Sequence, residues 1–131
     1  WRGRLDLELN LEPLYFPADS NLASSVIIGA IEAGHDAAEL VYELMRAVWV
    51  RDEDVSEASA VIGAIERSGG SVDELLAAAS HSNVQNIFVE NSEQAVRKGV
   101  FGVPSYVVGE EVFWGQDRLE FLNAFLINEL G

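Results

Sequence analysis

The texture of the chain changes once, at Gly99, and that change limits the folds open to it. Upstream, apolar residues recur at helical spacing in five separate runs; downstream, Ser105 to Val108 and Glu111 to Trp114 are short runs of β-formers around Gly109-Glu110. A two-residue connection with Gly first suits a type II′ turn, so a β-hairpin is predicted over 105–114. Two strands alone are marginally stable in water, so this hairpin calls for more sheet than the chain offers, and the expectation is that it lies upstream.

The helical runs have readable ends. Asp19 or Ser20 can cap a first helix that runs through Ile31 and stops at Gly34, and Leu40, Val41, Leu44, Met45 and Val48 place a second helix up to about Val50. Asp54 or Ser56 is the expected cap of a third helix carrying Val61, Ile62 and Ile65, which Ser68-Gly69-Gly70 breaks. Ser71 and Glu74 have the spacing of a reciprocal capping box for a short fourth helix to Ala79. A fifth is predicted from Val84 to Lys98, its basic end matching the helix dipole, and Asp117 is the expected cap of a last helix whose apolar face holds Leu119, Leu122, Phe125 and Leu126. At the other end, Leu5, Leu7, Leu9 and Leu11 alternate with polar residues, which predicts an extended segment over 5–12 closed by Pro13. Trp1 followed by Arg2-Gly3-Arg4 reads as a cut or processed end.

Composition narrows the function. The 131 residues are 49% hydrophobic, enough for a real core, and carry 22 Asp and Glu against 8 Lys and Arg, a formal charge of −14. That balance argues against nucleic acid and anionic membrane surfaces as partners. There is no cysteine, hence no disulfide, thiolate nucleophile or Cys-based metal site on this chain, which suits a reducing, cytoplasmic setting. No apolar run approaches a membrane span. His35 and His81 stand 46 positions apart and read as surface residues, so no metal is expected. The run Arg51-Asp52-Glu53-Asp54 reads as a solvated, capped turn, and Arg118 as structural.

Two segments carry a more specific signal. Lys98-Gly99-Val100-Phe101-Gly102-Val103-Pro104-Ser105-Tyr106, followed by Phe113-Trp114-Gly115-Gln116-Asp117-Arg118-Leu119, resembles the C-terminal signature of 2-hydroxychromene-2-carboxylate isomerases and kappa-class glutathione transferases, in the DsbA-like branch of the thioredoxin fold. Ala47 to Val55 resembles a helix-end segment of the same enzymes, and Leu14-Tyr15-Phe16-Pro17 their Phe-Pro entry into a helical insertion. The resemblance implies an α-rich α/β fold in which residues 1–98 form the helical insertion with its extended lead, and 99–131 the C-terminal half of the thioredoxin fold. The N-terminal βαβ half would then be missing, and with it the serine that holds or activates the glutathione thiol, so no catalytic residue is assigned on this chain.

The resemblance further implies glutathione as cofactor and a role for four residues in binding it. Val103 would offer its backbone to the cysteinyl part beside a cis Pro104; an X–Pro bond gives up only about 0.5–1 kcal/mol to be cis. The amides near Gln116 would take the γ-glutamyl carboxylate and Asp117 its ammonium; a helix N-terminus favours an anion in any case. Trp114, opposite in direction to Phe113 along the strand, would wall the substrate pocket, which the helical insertion would lid. Asp19 and Ser25 depart from the family, standing where many of its isomerases have an Asn and an Arg, so Ser25 offers no cation for a substrate carboxylate. The expected activity is that of a glutathione-dependent isomerase or transferase on a small, aromatic or otherwise electrophilic molecule, with this chain inactive by itself. Two other readings stay open: a DsbA-type dithiol oxidoreductase whose Cys-x-x-Cys lies upstream, and a non-enzymatic module that pairs its sheet edge with a second copy, as a homodimer, or with its own missing half.

Overall fold

The computed structural model of the chain describes residues 2–130. They divide into two compact units, Trp1–Phe88 and Val89–Gly131. The division falls inside the fifth helix, ahead of the 98/99 boundary that the resemblance implies.

The first unit is built from α1 (Asn21–Glu32), α2 (Ala38–Trp49), α3 (Ala58–Arg67), α4 (Val72–Ala79) and the start of α5 (Ser82–Arg97). The apolar faces of α1 to α4 meet in one cluster around the fully buried Val26, Val61 and Ile65, with Leu40, Leu44 and Leu75 against them, and Val84 at the start of α5 is buried as well. No described polar side chain is buried. The closest approach is between α1 and α4. At Gly29 an added Cβ would lie 2.7 Å from the Ala79 backbone nitrogen and 2.8 Å from the Ala78 carbonyl carbon, so only a residue without a side chain lets the two backbones meet there.

Helices α1, α3 and α5 end alike. In each, a glycine at positive φ follows the cap residue, and the residue after it bonds back across the last turn: His35 to Ala30, Gly70 to Ile65 and Val100 to Ala95, at 2.9, 3.0 and 2.9 Å.

Several starts differ from expectation. Residues 5–12 form no strand: 2–6 are a turn, and the chain beyond them is anchored by the Asn10 N–H on the Trp49 carbonyl at 2.7 Å, with Leu5, Leu7 and Leu11 exposed. Alternation needs a neighbouring strand to become a ladder, and none lies beside it among the described residues. Glu57 precedes α3, whereas Asp54 caps the turn before it, accepting the Ser56 N–H at 3.0 Å and hydroxyl at 2.6 Å. Those two bonds, the hydroxyl's first, hold the Asp54 carboxyl below the usual range. The capping box is one-sided: Ser71 Oγ accepts the Glu74 N–H, but the Glu74 carboxylate turns to His35 Nε2 at 3.1 Å. Phe16–Pro17 is a cis peptide, and the Phe16 ring packs 4.7 Å from Trp49.

The run 51–54 is a junction rather than a solvated turn. Arg51 meets Glu43 at 3.0 Å and Glu53 at 3.5 Å, while Arg67 meets the same two carboxylates at 3.2 and 2.7 Å. Two cations and two anions alternate in a closed ring that ties α2 to α3. Asp52 adds a second tie, accepting from Asn10 Nδ2 at 2.8 Å and from the Leu14 N–H at 2.9 Å.

The second unit holds the end of α5, the strands β1 (Ser105–Val108) and β2 (Glu111–Trp114), a 3-10 turn at Gln116–Arg118 and α6 (Leu119–Leu130). The strands pair antiparallel, Ser105 with Trp114 and Val108 with Glu111. Gly109 takes φ 60° and Glu110 does not join it at positive φ, which fits the expected type II′ turn. Phe113 points to α6, its ring 5.5 Å from Phe125, and none of this unit's described side chains is fully buried. No described helix is long and apolar enough to cross a membrane.

Candidate functional site

A cleft in the second unit gathers four of the five sequence-predicted residues, all but Pro104. It holds about 260 Å³ and is lined by Val103, Trp114, Gly115, Gln116, Asp117 and Arg118. Two loops that are distant in the chain make it, and one hydrogen bond joins them: the Gly115 N–H donates to the Pro104 carbonyl at 2.8 Å.

The first loop begins where Gly99 ends α5 and runs to β1. Its Val103–Pro104 peptide is cis, and Val103 stands 89% exposed. Ser105 Oγ donates to the Gly102 carbonyl at 2.6 Å, which closes the loop on itself just before the strand starts. The backbone of Val103 is thus held at the mouth of the cleft by fixed points on either side.

The second loop leaves β2 at Gly115, which takes φ 100° and ψ 150°. That conformation is open only to glycine, and a Cβ there would fall on the Asp117 carboxylate. Gly115, not Asp117, therefore occupies the cap position, because the chain turns into the helix two residues earlier than the sequence pattern suggests. The first bond of the turn runs from the Arg118 N–H to the Gly115 carbonyl at 3.1 Å, so the Gln116 and Asp117 amides have no acceptor inside it. The Asp117 carboxylate is exposed; its neighbour Arg118 reaches it only at 3.9 Å and lies over the Phe121 ring, 5.4 Å from the centroid. Such a solvated pair is weak and leaves the carboxylate open to a further cation. One wall of the cleft thus offers free N–H groups and a carboxylate side by side, suited to a zwitterionic amino-acid end.

Trp114 also walls the cleft. It points away from Phe113, is half exposed, and packs against Phe101 at 4.9 Å between ring centroids. Gly102 lies directly beneath the indole. Phe101 and Gly102 carried no role in the sequence pattern; the signal available was a Gly beside an aromatic residue, facing a Trp across the coming hairpin. His35 and His81 lie in the other unit and are exposed, and the described residues contain no group of three His, Asp or Glu placed to hold a metal.

Comparison with known proteins gives these features a context. A sequence model of the DsbA-like thioredoxin domain matches residues 1–126. The 2-hydroxychromene-2-carboxylate isomerase of Sphingobium xenophagum is 30% identical over 117 residues, covering 88% of this chain and 60% of the relative. Human glutathione S-transferase kappa 1 is 31% identical over 134 positions, covering 89% and 59%. The solved structure of a selenomethionine 2-hydroxychromene-2-carboxylate isomerase superposes with a TM-score of 0.66 at 29% identity, over 90% of this chain and 59% of that one. The chain spans about three fifths of the length of these relatives. The match along nearly its whole length, together with the helix-rich fold and the small C-terminal sheet, places the chain in the DsbA-like thioredoxin domain family.

Proposed function

We propose that the chain supplies the glutathione-cradling side of an isomerase or transferase active site. The observation that carries this reading is the Gly115 to Pro104 hydrogen bond, which sets Val103, next to a cis proline, across one cleft from the amides of Gln116 and Asp117. Glutathione fits that layout in three parts. Its γ-glutamyl carboxylate meets the free amides at the turn, where the helix dipole favours an anion. Its ammonium meets Asp117, and its cysteinyl backbone pairs with the N–H and C=O of Val103 in the manner of an added strand. The names of the relatives, an isomerase and a glutathione transferase, support the same assignment.

In this reading the glutathione thiolate adds to one carbon of a conjugated double bond in a small electrophilic substrate, so that the C–S bond forms as the π bond breaks and its electron pair moves onto the conjugated electron-withdrawing group. For isomerisation the same bond breaks after the substrate has changed geometry, returning the thiolate, so glutathione is not consumed; for transfer the bond stays and a proton completes the product. No side chain of this chain is assigned to hold the thiolate, and the chain by itself is expected to show no turnover. With no cysteine in its 131 residues, it can contribute no thiol to dithiol exchange.

Amide chemical-shift mapping with reduced glutathione tests the proposal. The signals of Val103, Gln116 and Asp117 are expected to move together along one binding curve. Shifts confined to Trp1–Phe88, or none at saturating ligand, would refute it.

A further inference from the structure

The wall formed by Trp114 has a seat that nothing in the proposed function requires, and it is made of two residues with no other evident task. A Cβ added to Gly102 would lie 2.5 Å from Trp114 Nε1 and 3.1 Å from Cε2, well inside contact distance, so the pyrrole edge of the indole rests on the Gly102 α-carbon. The Phe101 ring sits against the same indole at 4.9 Å and a tilt of 58°, the offset geometry that aromatic pairs favour. Gly102 itself cannot retreat. Its carbonyl accepts the Ser105 hydroxyl at 2.6 Å, and Ser105 is the register partner of Trp114. The seat and the side chain it holds are therefore fixed to the same two-residue rung of the hairpin.

A positive φ is not the reason for the glycine at this position. Gly102 is absent from the glycines at positive φ, so its backbone conformation is open to other residues. What excludes a side chain is the indole. Phe101, for its part, is 74% exposed and covers one face of that indole.

We infer that Gly102 and Phe101 are positioning residues for the cleft: they hold the Trp114 indole flat beside Val103 and thereby set the cleft's width. This rests on the reading that the cleft binds glutathione, but the placement of the indole can be tested without ligand. With Ala at 102 the indole must rotate off the loop, either into the cleft or away from it.

The test uses the full chain labelled with 5-fluorotryptophan, the Trp114 signal being identified by its loss in Trp114→Phe. Gly102→Ala and Phe101→Leu are each expected to shift that fluorine signal and to leave the Trp49 signal in place. Titration with reduced glutathione should then show Gly102→Ala weakened about tenfold, equivalent to roughly 1.4 kcal/mol. The smaller ring in Gly102→Ala/Trp114→Phe should restore the affinity of Trp114→Phe alone. An unmoved Trp114 fluorine signal in both single variants would overturn the inference, as would a double variant as weak as Gly102→Ala. If no variant and not the unsubstituted chain binds glutathione while the fluorine shifts appear, the seat stands and the glutathione reading falls.

Discussion

Replacing Gly29 with Ala puts the packing of the first unit to a severe test, because propensity and contact oppose each other there. In a helix interior Gly→Ala gains about 0.8–1 kcal/mol. Against that gain, the new methyl carbon would sit 2.7 and 2.8 Å from backbone atoms of Ala79 and Ala78. Carbon contacts settle at about 3.5–4.0 Å, so α1 and α4 must part by roughly 0.7–1.3 Å. Neither side can turn a rotamer to yield. Adding one methylene to a full core costs about 1–3 kcal/mol, and a backbone-to-backbone collision belongs at the upper end. The net expectation is a loss of roughly 1–2 kcal/mol. Gly63, in the middle of α3, supplies the contrast: a Cβ there meets only the Arg67 guanidinium, nearest at Nη1 at 3.1 Å, a side-chain group that must give by a few tenths of an ångström against its ties to Glu43 and Glu53. Gly63→Ala is expected to be neutral or to stabilise by up to about 0.5 kcal/mol. Urea unfolding followed by the helical circular dichroism signal measures both. A Gly29→Ala chain as stable as the parent, at unchanged denaturant slope, would refute the close crossing of α1 and α4.

Two further outcomes follow from charges. Glu43→Gln removes the anion shared by Arg51 and Arg67, whose side chains are 23% and 36% exposed, and should cost about 1–3 kcal/mol in urea unfolding, below the full range for a buried pair because the ring is partly wet. Glu93→Gln, which breaks the exposed pair with Arg97 on α5, should stay within about 0.5 kcal/mol and serves as the control. Asp54 sets an acid-side dependence. Its carboxyl is held below its ordinary range by Ser56, so the bonds stabilise the fold at and above neutral pH and are lost as pH falls through the folded-state value. The thermal midpoint of the parent should therefore exceed that of Asp54→Asn near pH 6, and the gap should narrow as pH falls below the ordinary aspartate range; a gap that widens on acidification would contradict the assignment.

Much of this fold could be read from local pattern. Helices stop where Gly34, Gly69 and Gly99 follow the last apolar turn, and the hairpin turns where Gly109 stands, because those signals act within four or five residues. What escaped the pattern depends on partners far along the chain. Alternating leucines at 5–11 look like a strand, yet alternation says nothing about whether a neighbouring strand exists, and the segment instead hangs on α2 through Asn10. The charges at 51–54 look solvated, since the partners that enclose Arg51 and Glu53 come from Glu43 and Arg67. At the site, residue types in a resembling motif pointed to Val103, Pro104, Gln116, Asp117 and Trp114, and the cleft gathers all of them except Pro104, whose carbonyl instead joins its two loops. The seat at Gly102 was not legible, because a glycine at an ordinary backbone angle shows its purpose only when the side chain above it is known.

Calorimetric titration of the chain with reduced glutathione, beside Asp117→Ala, reaches the central claim most directly. An ion pair between the ligand ammonium and a carboxylate as exposed as Asp117, at 62%, contributes up to about 1 kcal/mol, roughly fivefold in affinity. The account predicts one site on the parent chain and that loss in the variant, with its helical content unchanged. Equal affinity in the two, or heat from neither, would contradict it.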